Sequence, residues 1–398
     1  MKTIIHANRP LVLTLLALTS FVIGSFAQEI TIPDPGLNAA IHEALGKPAG
    51  PLTPQDMLNL TNLGAVFRNI TNVQGLEAAQ NLVSLDLQDN RITSVNSLTN
   101  LTRLVFLDVS ENRFPQLIIP GGMTNLTTLR AEFGGLTNVT LPAGLTKLTS
   151  LRLGFNQLPS LILPADMTNL SLLSVFQNQL TNLTLPPTLT SLTNLNLDGN
   201  RLNSLNLPAG MTKLDTLIAS ANQLTNFTVP ADMTNLKFLR LNDNQLTNLT
   251  LPPDLQQLIG LFLGGNPFTT FVLSEPLAAT GMASVVDSFR NQGISVFTYP
   301  LVAQFFQPLM LAGSFKFGLT GPPGVYTVLG STNLADWTLV GTATNSLGSI
   351  NFTDVTANSS PHKFYRALQE GPPANRMLIL SNTFRMGSPT TDYSRTAR

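Results

Sequence analysis

Leu239-Arg240-Leu241-Asn242-Asp243-Asn244-Gln245-Leu246 is one copy of a pattern that recurs every 22 residues and decides the fold of this chain. In each copy two leucine-type residues flank one variable residue, an asparagine follows, and a further apolar residue comes two positions later. The asparagines in this period are Asn90, Asn112, Asn156, Asn178, Asn200, Asn222, Asn244 and Asn266, and Gly134 takes the place of the missing one. Nine consecutive copies in one register indicate a repeat protein.

The spacing inside each copy predicts a short strand that ends in a turn. Successive side chains of a strand point to opposite faces, so the two leucines share one face and the residue between them takes the other. Stacked copies would pair these strands in parallel at intervals of about 4.8 Å. The asparagine amide would then satisfy backbone groups of the turn that burial otherwise leaves unpaired. We predict a structural ladder of asparagines in which Gly134 is the weak position.

The segments that return from one strand to the next change along the chain. Early on, Val95, Leu98 and Leu101 follow the spacing of a helical turn, whereas later segments such as 161–167 contain a proline that blocks a helix. Both forms supply apolar residues that one repeat cannot bury alone. Stability must therefore come from the stacking of neighbouring repeats.

This signature is that of the leucine-rich repeat, and the chain resembles secreted bacterial members of that family such as the internalins. The resemblance covers about residues 30 to 299 and includes a helical cap followed by the segment Leu-Thr-Pro-Gln-Asp-Met at 52–57. It implies a curved solenoid that binds partners on its concave sheet. We predict an α/β repeat fold: a curved leucine-rich repeat solenoid with a parallel β-sheet on the concave face, plus a small all-β C-terminal domain.

The predicted layout of the chain follows from where the repeat begins and ends. It comprises a signal peptide (1–27), an N-terminal cap (28–57), the leucine-rich repeats (58–275), a C-terminal cap (276–299), a linker (300–312), a small β module (313–370) and a tail (371–398). In the N-terminal cap, Leu37, Ile41 and Leu45 lie on one face of a predicted helix. In the C-terminal cap we predict a helix over 276–292 and a strand over 294–299.

Composition changes after Pro300, where the leucine period ends. Segments 325–329, 337–340 and 350–353 alternate like strands between turn residues. This module resembles a β module found near the C-termini of exported proteins of environmental bacteria, through residues such as Gly324-Val325-Tyr326, Trp337 and Lys363-Phe364-Tyr365-Arg366. That resemblance implies no defined activity.

The last stretch has a resemblance of its own. Residues 375–389 are similar to the opening strand of the formylglycine-generating (sulfatase-modifying) enzyme fold. The chain has no cysteine, so the active-site thiols of the copper-dependent members of that family are missing. A truncated remnant of that domain and a chance similarity are the two alternatives.

Composition argues against several classes of function. Charged residues are 11% of the chain and the formal net charge is zero, so we predict no nucleic-acid partner. Without cysteine, and with only His42 and His362 beyond the predicted signal, we expect no catalytic triad, no metal site and no cofactor. Asp86 and Asp108 occupy equivalent strand positions, but exposed acids of this kind are more often solvated than a glycosidase pair. We therefore predict that the protein is not an enzyme.

The first residues predict export. Lys2 and Arg9 give a positive start, residues 11–23 are almost wholly apolar, and Ser25-Phe26-Ala27 offers the small residues of a signal-peptidase site. This apolar run is shorter than the roughly 20 residues that span a membrane. We predict cleavage after Ala27, no membrane span after signal removal, and a secreted, periplasmic or cell-surface location.

The residues that face outward on the strands define a candidate binding surface. The column between the leucines is acidic at Asp86 and Asp108, basic at Arg130 and Arg152, and partly apolar later. Exposed arginine and phenylalanine often anchor interfaces. We predict a partner-binding face formed by Arg130, Glu132, Arg152, Phe176, Phe238, Arg240 and Phe262.

The function predicted from these observations is that of an exported binding protein that recognises a protein or glycan partner on its concave face. Arg130 and Arg152 would lie on adjacent strands and repel each other, which favours a bound anion or carboxylate between them. Two alternatives remain open. One is a truncated recognition arm of a formylglycine-generating-type enzyme, and the other is a structural envelope or adhesion protein.

Overall fold

The computed structural model of the protein describes residues 29–311, 314–357 and 363–370, and in it the repeats form one ten-stranded parallel sheet. The strands of this concave sheet are β1 (Asn62–Gly64), β2 (Ser84–Asp86), β3 (Phe106–Asp108), β5 (Thr128–Arg130), β7 (Ser150–Arg152), β8 (Leu172–Ser174), β9 (Asn194–Asn196), β10 (Thr216–Ile218), β11 (Phe238–Arg240) and β13 (Gly260–Phe262). Each strand starts 22 residues after the previous one and pairs with it in equivalent register, as Leu63 does with Leu85. The predicted curved leucine-rich repeat solenoid is confirmed.

The interior of the solenoid is a single apolar core. Leu85, Leu129 and Leu173 at the centres of their strands are completely buried, and the second leucine-type residue of each repeat joins them. The residues between the two leucines point away from this core to the concave surface. Because side chains alternate in direction along a strand, the leucines are all buried while the residues between them face outward and vary.

The return segments contain little regular structure. Short 3-10 turns occupy Leu76–Ala78 and Asn96–Leu98 in the early repeats. Later segments include the short strands β4 (Gln116–Ile118), β6 (Asn138–Thr140) and β12 (Asn248–Thr250). Between residues 60 and 270 no return segment forms an α-helix. From Pro115 onward the prolines of these segments account for this, because proline removes a backbone donor and clashes with a preceding helical turn.

Two helices cap the N-terminal end of the core. Helix α1 (Pro35–Ala44) buries Leu37 and Ile41, and α2 (Pro54–Asn59) follows it. Asp34 caps α1 by accepting a hydrogen bond from the Leu37 N–H, and its second oxygen accepts one from the N–H of Thr71 in the first repeat. One buried carboxylate therefore joins the cap to the solenoid.

At the C-terminal end the chain forms β14 (Thr270–Ser274), α3 (Glu275–Ala279), α4 (Ala283–Asn291) and β15 (Ser295–Tyr299). The sequence predicts one helix over 276–292, and this is wrong, because the helix is interrupted at residues 280–282. Thr280 and Gly281 are poor helix formers. A Cβ on Gly281 would lie 3.1 Å from the Leu258 carbonyl oxygen, so the break lets the backbone approach the last repeat closely.

The C-terminal domain consists of two antiparallel three-stranded sheets. One contains β16 (Gln304–Leu311), β17 (Ser314–Thr320) and β20 (Ser349–Asp354), and the other contains β19 (Thr338–Asn345), β18 (Gly324–Ser331) and β21 (Phe364–Glu370). Strand β16 lies within 300–312, where the sequence predicts a linker. The difference has a physical reason: Phe305 is buried against Phe317, with ring centroids 4.9 Å apart.

Three sequence predictions lie outside the described residues. They are the signal peptide at 1–27, the tail at 371–398 and His362.

Candidate functional site

The turn after each concave strand is closed by an asparagine side chain. The amide nitrogen of Asn178 donates to the carbonyl oxygen of Leu153 in the preceding repeat (2.9 Å) and to that of Val175 in its own repeat (3.0 Å). Its amide oxygen accepts from the N–H of Leu158 (3.0 Å). Equivalent hydrogen bonds are made by Asn90, Asn112, Asn156, Asn200, Asn222, Asn244 and Asn266. Each asparagine therefore joins two repeats and closes one turn.

Gly134 interrupts this asparagine ladder. Its backbone N–H donates to the amide oxygen of Asn156 (2.9 Å), so the backbone of this turn is still hydrogen-bonded to the next repeat. It has no side chain to donate to the carbonyl oxygen of Val109, the atom equivalent to Leu153 in the Asn178 turn. It also has no amide oxygen to accept from the N–H of Phe114, the equivalent of Leu158, so two side-chain links to the preceding repeat are missing at this position.

The residue before each asparagine has a left-handed backbone. Its φ is between 50° and 72° at Asp89, Glu111, Phe133, Phe155, Gln177, Gly199, Ala221, Asp243 and Gly265. Glycine, aspartate and asparagine tolerate this conformation, whereas bulky residues seldom adopt it. The bulky residues in this column are Glu111, Phe133, Phe155 and Gln177, and of these the two phenylalanines are apolar.

Two arginines lie side by side on the concave surface. Arg130 on β5 and Arg152 on β7 are direct partners in the parallel register. A terminal nitrogen of Arg130 lies 3.7 Å from the carboxylate of Asp108, which is too far for a hydrogen bond. The Nε atoms of both arginines are buried without a hydrogen-bond partner, and within the described part of the chain Arg152 makes no ion pair. Each guanidinium therefore keeps one buried N–H donor without a partner, although that of Arg130 also lies 5.5 Å from the centre of the Phe106 ring.

The acidic residues around this pair neutralise it only in part. Asp108 has a 5% exposed carboxylate that accepts a hydrogen bond from the backbone N–H of Ser110 (2.9 Å). Burial raises the pKa of Glu132, an effect that the nearby Arg152 partly opposes. Burial also raises the pKa of Asp86, and the adjacent Asp108 adds to the effect. The Asp108 carboxylate is buried and bonded to the backbone of its own repeat. Asp86 and Asp108 therefore do not form a pair of exposed carboxyls across a substrate cleft.

Three phenylalanines form a continuous apolar surface beside the arginines, which we call the aromatic ledge (Phe133, Phe155 and Phe176). The rings of Phe133 and Phe155 stack at 4.3 Å with a 15° interplanar angle, and Phe176 meets Phe155 edge-on at 4.8 Å. Phe133 is 52% exposed and Phe155 is 42% exposed. Gly154 makes room for the ledge, because a Cβ there would lie 2.2 Å from the Phe176 ring.

Phe133 and Phe155 are absent from the sequence-predicted site. The repeat pattern assigns outward positions only to residues of the strands, and these two lie in the turn just before the asparagine position. A signal was present in the sequence. At the position where the repeat has Gly199, Asp243 and other small or polar residues, two consecutive repeats carry phenylalanine.

The seven residues predicted to bind a partner fall into two groups. Phe176 belongs to the aromatic ledge and Arg130, Glu132 and Arg152 lie near it, whereas Phe238, Arg240 and Phe262 lie on β11 and β13. In the second group the Arg240 guanidinium stands 4.6 Å from the centre of the Phe262 ring. Strands β7 and β11 are four strand intervals apart, which is about 19 Å. The two groups therefore do not touch.

Other chemical sites are not evident in the described part of the chain. No cluster of three or more His, Asp or Glu side chains there could hold a metal ion. His42 contacts the carbonyl oxygen of Lys47 in the N-terminal cap. Over the same residues, no helix is long and apolar enough to cross a membrane.

The repeats match a known family. A family model described as BspA type leucine rich repeat region matches in six copies, over residues 110–218 and 154–269. The matched residues lie in the solenoid and include both groups of candidate binding residues. No curated protein matches the chain.

Several solved structures are similar. An internalin (inlF) from Listeria monocytogenes is 23% identical over 70% of this chain and 92% of that one, with a TM-score of 0.41. An internalin C2 (inlC2) from the same species is 28% identical over 61% and 93%, with a TM-score of 0.42. A TLR13–ssRNA13 complex is 20% identical over 56% and 41%, with a TM-score of 0.43. The absence of a nucleic-acid partner stays a prediction for this chain.

Proposed function

We propose that this protein is an exported leucine-rich repeat protein that binds a protein partner on its concave face and is not an enzyme. The proposed contact residues are Arg130, Glu132, Arg152, Phe176, Phe238, Arg240 and Phe262. The observation that carries the proposal is the pair of Arg130 and Arg152, which are register partners on adjacent strands and each keep a buried Nε without a hydrogen-bond partner.

The arginine pair is costly unless something binds to it. Like charges directly opposite on neighbouring strands destabilise a sheet, and buried polar atoms normally have a hydrogen-bond partner. The carboxylates nearby do not bond either buried Nε, since Asp108 pairs at 3.7 Å with a terminal nitrogen of Arg130 and Arg152 has no ion pair among the described residues. A carboxylate from a bound protein would satisfy both guanidiniums. Arginine and aromatic residues at the centre of an interface also contribute most of its affinity.

Export rests on the N-terminal segment. Lys2, Arg9, the apolar run 11–23 and the small residues before position 28 together fit a cleaved signal peptide. The expected mature N-terminus is Gln28, which N-terminal sequencing of protein recovered outside the cytoplasm would establish. Recovery of chains that still begin at Met1 would contradict export by this route.

Site-specific photo-crosslinking tests the binding face and does not require the partner to be identified first. A photoreactive amino acid at Asn196, on concave strand β9, should give a defined crosslinked protein. The same amino acid at Thr168, an exposed residue of a return segment, should give none. A partner that crosslinks from Thr168 and not from Asn196 would contradict the proposal.

The crosslinked partner then allows a titration. Arg152→Ala and Phe176→Ala should each weaken binding by about 1–2 kcal/mol, the range of interface anchors. Thr168→Ala is the control and should leave the affinity unchanged. If the control abolishes binding while the two concave variants retain it, the concave face is not the binding site.

A further inference from the structure

Phe133 and Phe155 occupy positions where the fold gains little from a phenylalanine. Their φ angles are 56° and 54°, and a left-handed backbone costs a bulky residue on the order of 1 kcal/mol. Burial does not offset this cost, since the two side chains are 52% and 42% exposed. Phe67 has the same backbone strain and is 74% exposed, so what sets Phe133 and Phe155 apart is that their exposed rings stack on each other.

The rings of the aromatic ledge are also held in place. Phe155 stacks on Phe133 at 4.3 Å and meets the edge of Phe176 at 4.8 Å. Phe176 in turn occupies the space over Gly154 that any larger residue would fill. The ledge is therefore an ordered apolar surface whose ring positions are set before a partner arrives.

The arginine pair lies close to the ledge along the chain. Arg130 and Arg152 each precede a ledge phenylalanine by three residues on the same strand and turn, which is about 10 Å along an extended chain. Long side chains reach across part of that distance. A partner that contacts both features must therefore carry an anionic group and an apolar group within a few residues of each other.

The apolar half of this surface fits a protein side chain better than a sugar. Phenylalanine has no polar atom to bond a hydroxyl group, and the stack between Phe133 and Phe155 covers one face of each ring. The exposed ring edges and outer faces suit contact with a large aliphatic or aromatic side chain. The guanidiniums beside them suit a carboxylate, with which arginine forms paired hydrogen bonds.

We infer that the concave face selects a protein segment in which a carboxylate side chain lies within two residues of a large apolar side chain. The carboxylate binds Arg130 and Arg152, and the apolar side chain packs on the aromatic ledge. This inference rests on the proposed function and adds the chemistry of the partner segment.

A peptide array tests this chemistry on the full-length protein. Hexapeptides with three consecutive randomised positions in a Gly-Ser frame would be probed beside neutral and uronic-acid oligosaccharides. Peptides with Asp or Glu within two positions of Phe, Trp, Leu or Met should be enriched over all others. Basic and wholly polar peptides should not bind.

Two variants separate the two halves of the site. With Arg152→Gln the preference for an acidic residue should disappear, and affinity for the best acidic–apolar peptide should fall about fivefold or more, as for an interface anchor. With Phe155→Asn the preference for an apolar residue should disappear. Asparagine tolerates the left-handed backbone, so the urea midpoint should stay the same or rise, which excludes misfolding as the cause.

Matched controls exist for both variants. Phe67 has the same backbone conformation, with φ 57° and 74% exposure, but lies outside the ledge. Phe67→Asn should therefore relieve the same strain and leave peptide binding unchanged. Arg103, an exposed arginine in a return segment, is the control for charge, and Arg103→Gln should also have no effect.

Each contrary outcome has a defined meaning. Enrichment of basic or polar peptides, no enrichment at all, or wild-type peptide binding by Phe155→Asn would overturn the inference. Binding of uronic-acid oligosaccharides through Arg152 without peptide binding would also overturn it in favour of an acidic glycan. If Asn196 still crosslinks a protein in these cases, concave-face binding stands; if it crosslinks none, the proposed function itself fails.

Discussion

The asparagine ladder and the concave strands run side by side through the same repeats, yet their side chains differ in every respect. The ladder has asparagine at eight of nine positions, and nearly all of these side chains are buried. The column between the leucines changes from Asp108 to Arg130 to Ser174 with no change in backbone. Ladder side chains contact backbone atoms, which are identical in every repeat, whereas concave side chains contact solvent or a partner. Features that recur therefore stabilise the solenoid, and departures from the repeat are where binding is expected.

The column before each asparagine combines both kinds of behaviour. Its left-handed backbone recurs in every repeat, but its side chains include Gly199, Asp243 and Phe155. The backbone thus serves the solenoid while the side chain is free to vary. This is why two strained phenylalanines there point to binding and two buried ones in the core would not.

The largest expected effect is loss of stability when a ladder residue is replaced. Asn178→Leu keeps a similar size but removes hydrogen bonds to Leu153, Val175 and Leu158. Buried backbone groups left without partners cost roughly 1–3 kcal/mol in total stability. Urea denaturation should show a clearly lower midpoint. A midpoint equal to that of the wild type would show that water replaces the asparagine at no cost.

The opposite change at the interrupted position should stabilise the protein. Gly134→Asn supplies an amide that can donate to the Val109 carbonyl oxygen and accept from the Phe114 N–H, which would restore the missing links. A Cβ at 134 lies 3.3 Å from the Asn156 amide oxygen, a tight distance that a small shift of that side chain accommodates. We expect a gain of about 0.5–1.5 kcal/mol, the net value of a hydrogen bond. A lower urea midpoint than that of the wild type would contradict the equivalence of the nine positions.

A smaller effect is expected on binding alone when the ledge loses one ring. Gly154→Ala places a Cβ 2.2 Å from the Phe176 ring, so the ring must rotate away from Phe155. An edge-to-face aromatic pair contributes about 0.5–1.5 kcal/mol, and affinity for acidic–apolar peptides should fall by a corresponding factor. The preference for an acidic residue should persist, since Arg130 and Arg152 are untouched. Unchanged affinity would show that Phe176 does not contact the peptide.

Most of the solenoid could be predicted from the sequence because one local spacing repeats. The leucine positions fix the strands and the asparagines fix the turns, so the spacing alone identifies the residues of the concave column. The ledge could not be predicted in this way, because the contact of Phe133 with Phe155 depends on a left-handed turn that the residue types do not favour. The separation of Arg152 from Arg240 by four strand intervals follows from the period, and so does the position of Phe262 beside Arg240, 22 residues later.

The C-terminal domain is harder to predict because nothing in it repeats. Alternation predicts the middle strands, but it misses β16, which lies where the sequence predicts a linker. Its partner β17 is antiparallel with a register shift after Phe306, which breaks the simple alternation of side chains. Strand β18 pairs with β21, which comes more than 30 residues later. Such pairings depend on contacts between distant segments, and no local pattern records them.

The smallest expected effect is the pH dependence of stability. It should differ between Glu132 on the concave face and Asp56 in the N-terminal cap. Burial raises the pKa of Glu132 above its ordinary value of 4.5, so the folded protein holds this proton more tightly than the unfolded chain. Its contribution to stability is therefore gained on mild acidification and lost as pH rises through the raised pKa. Hydrogen bonds from Lys47 and Thr53 act oppositely and lower the pKa of Asp56 to about 2. That contribution is present above the ordinary value of 3.8 and is lost as pH falls towards 2.

The urea midpoint should therefore rise slightly from pH 7 into the mildly acidic range and fall below about pH 3.8. Glu132→Gln should raise the urea midpoint at pH 7, because it removes a partly buried charge. It should also reduce the increase of the midpoint on mild acidification. Asp56→Asn should lower the midpoint at pH 7 and weaken the fall at low pH. Both effects should be small, since these carboxyls are partly exposed and solvent screens them. If Glu132→Gln instead lowers the midpoint at pH 7, Glu132 stabilises the arginine pair in the free protein, and Arg152 no longer needs a carboxylate from a partner.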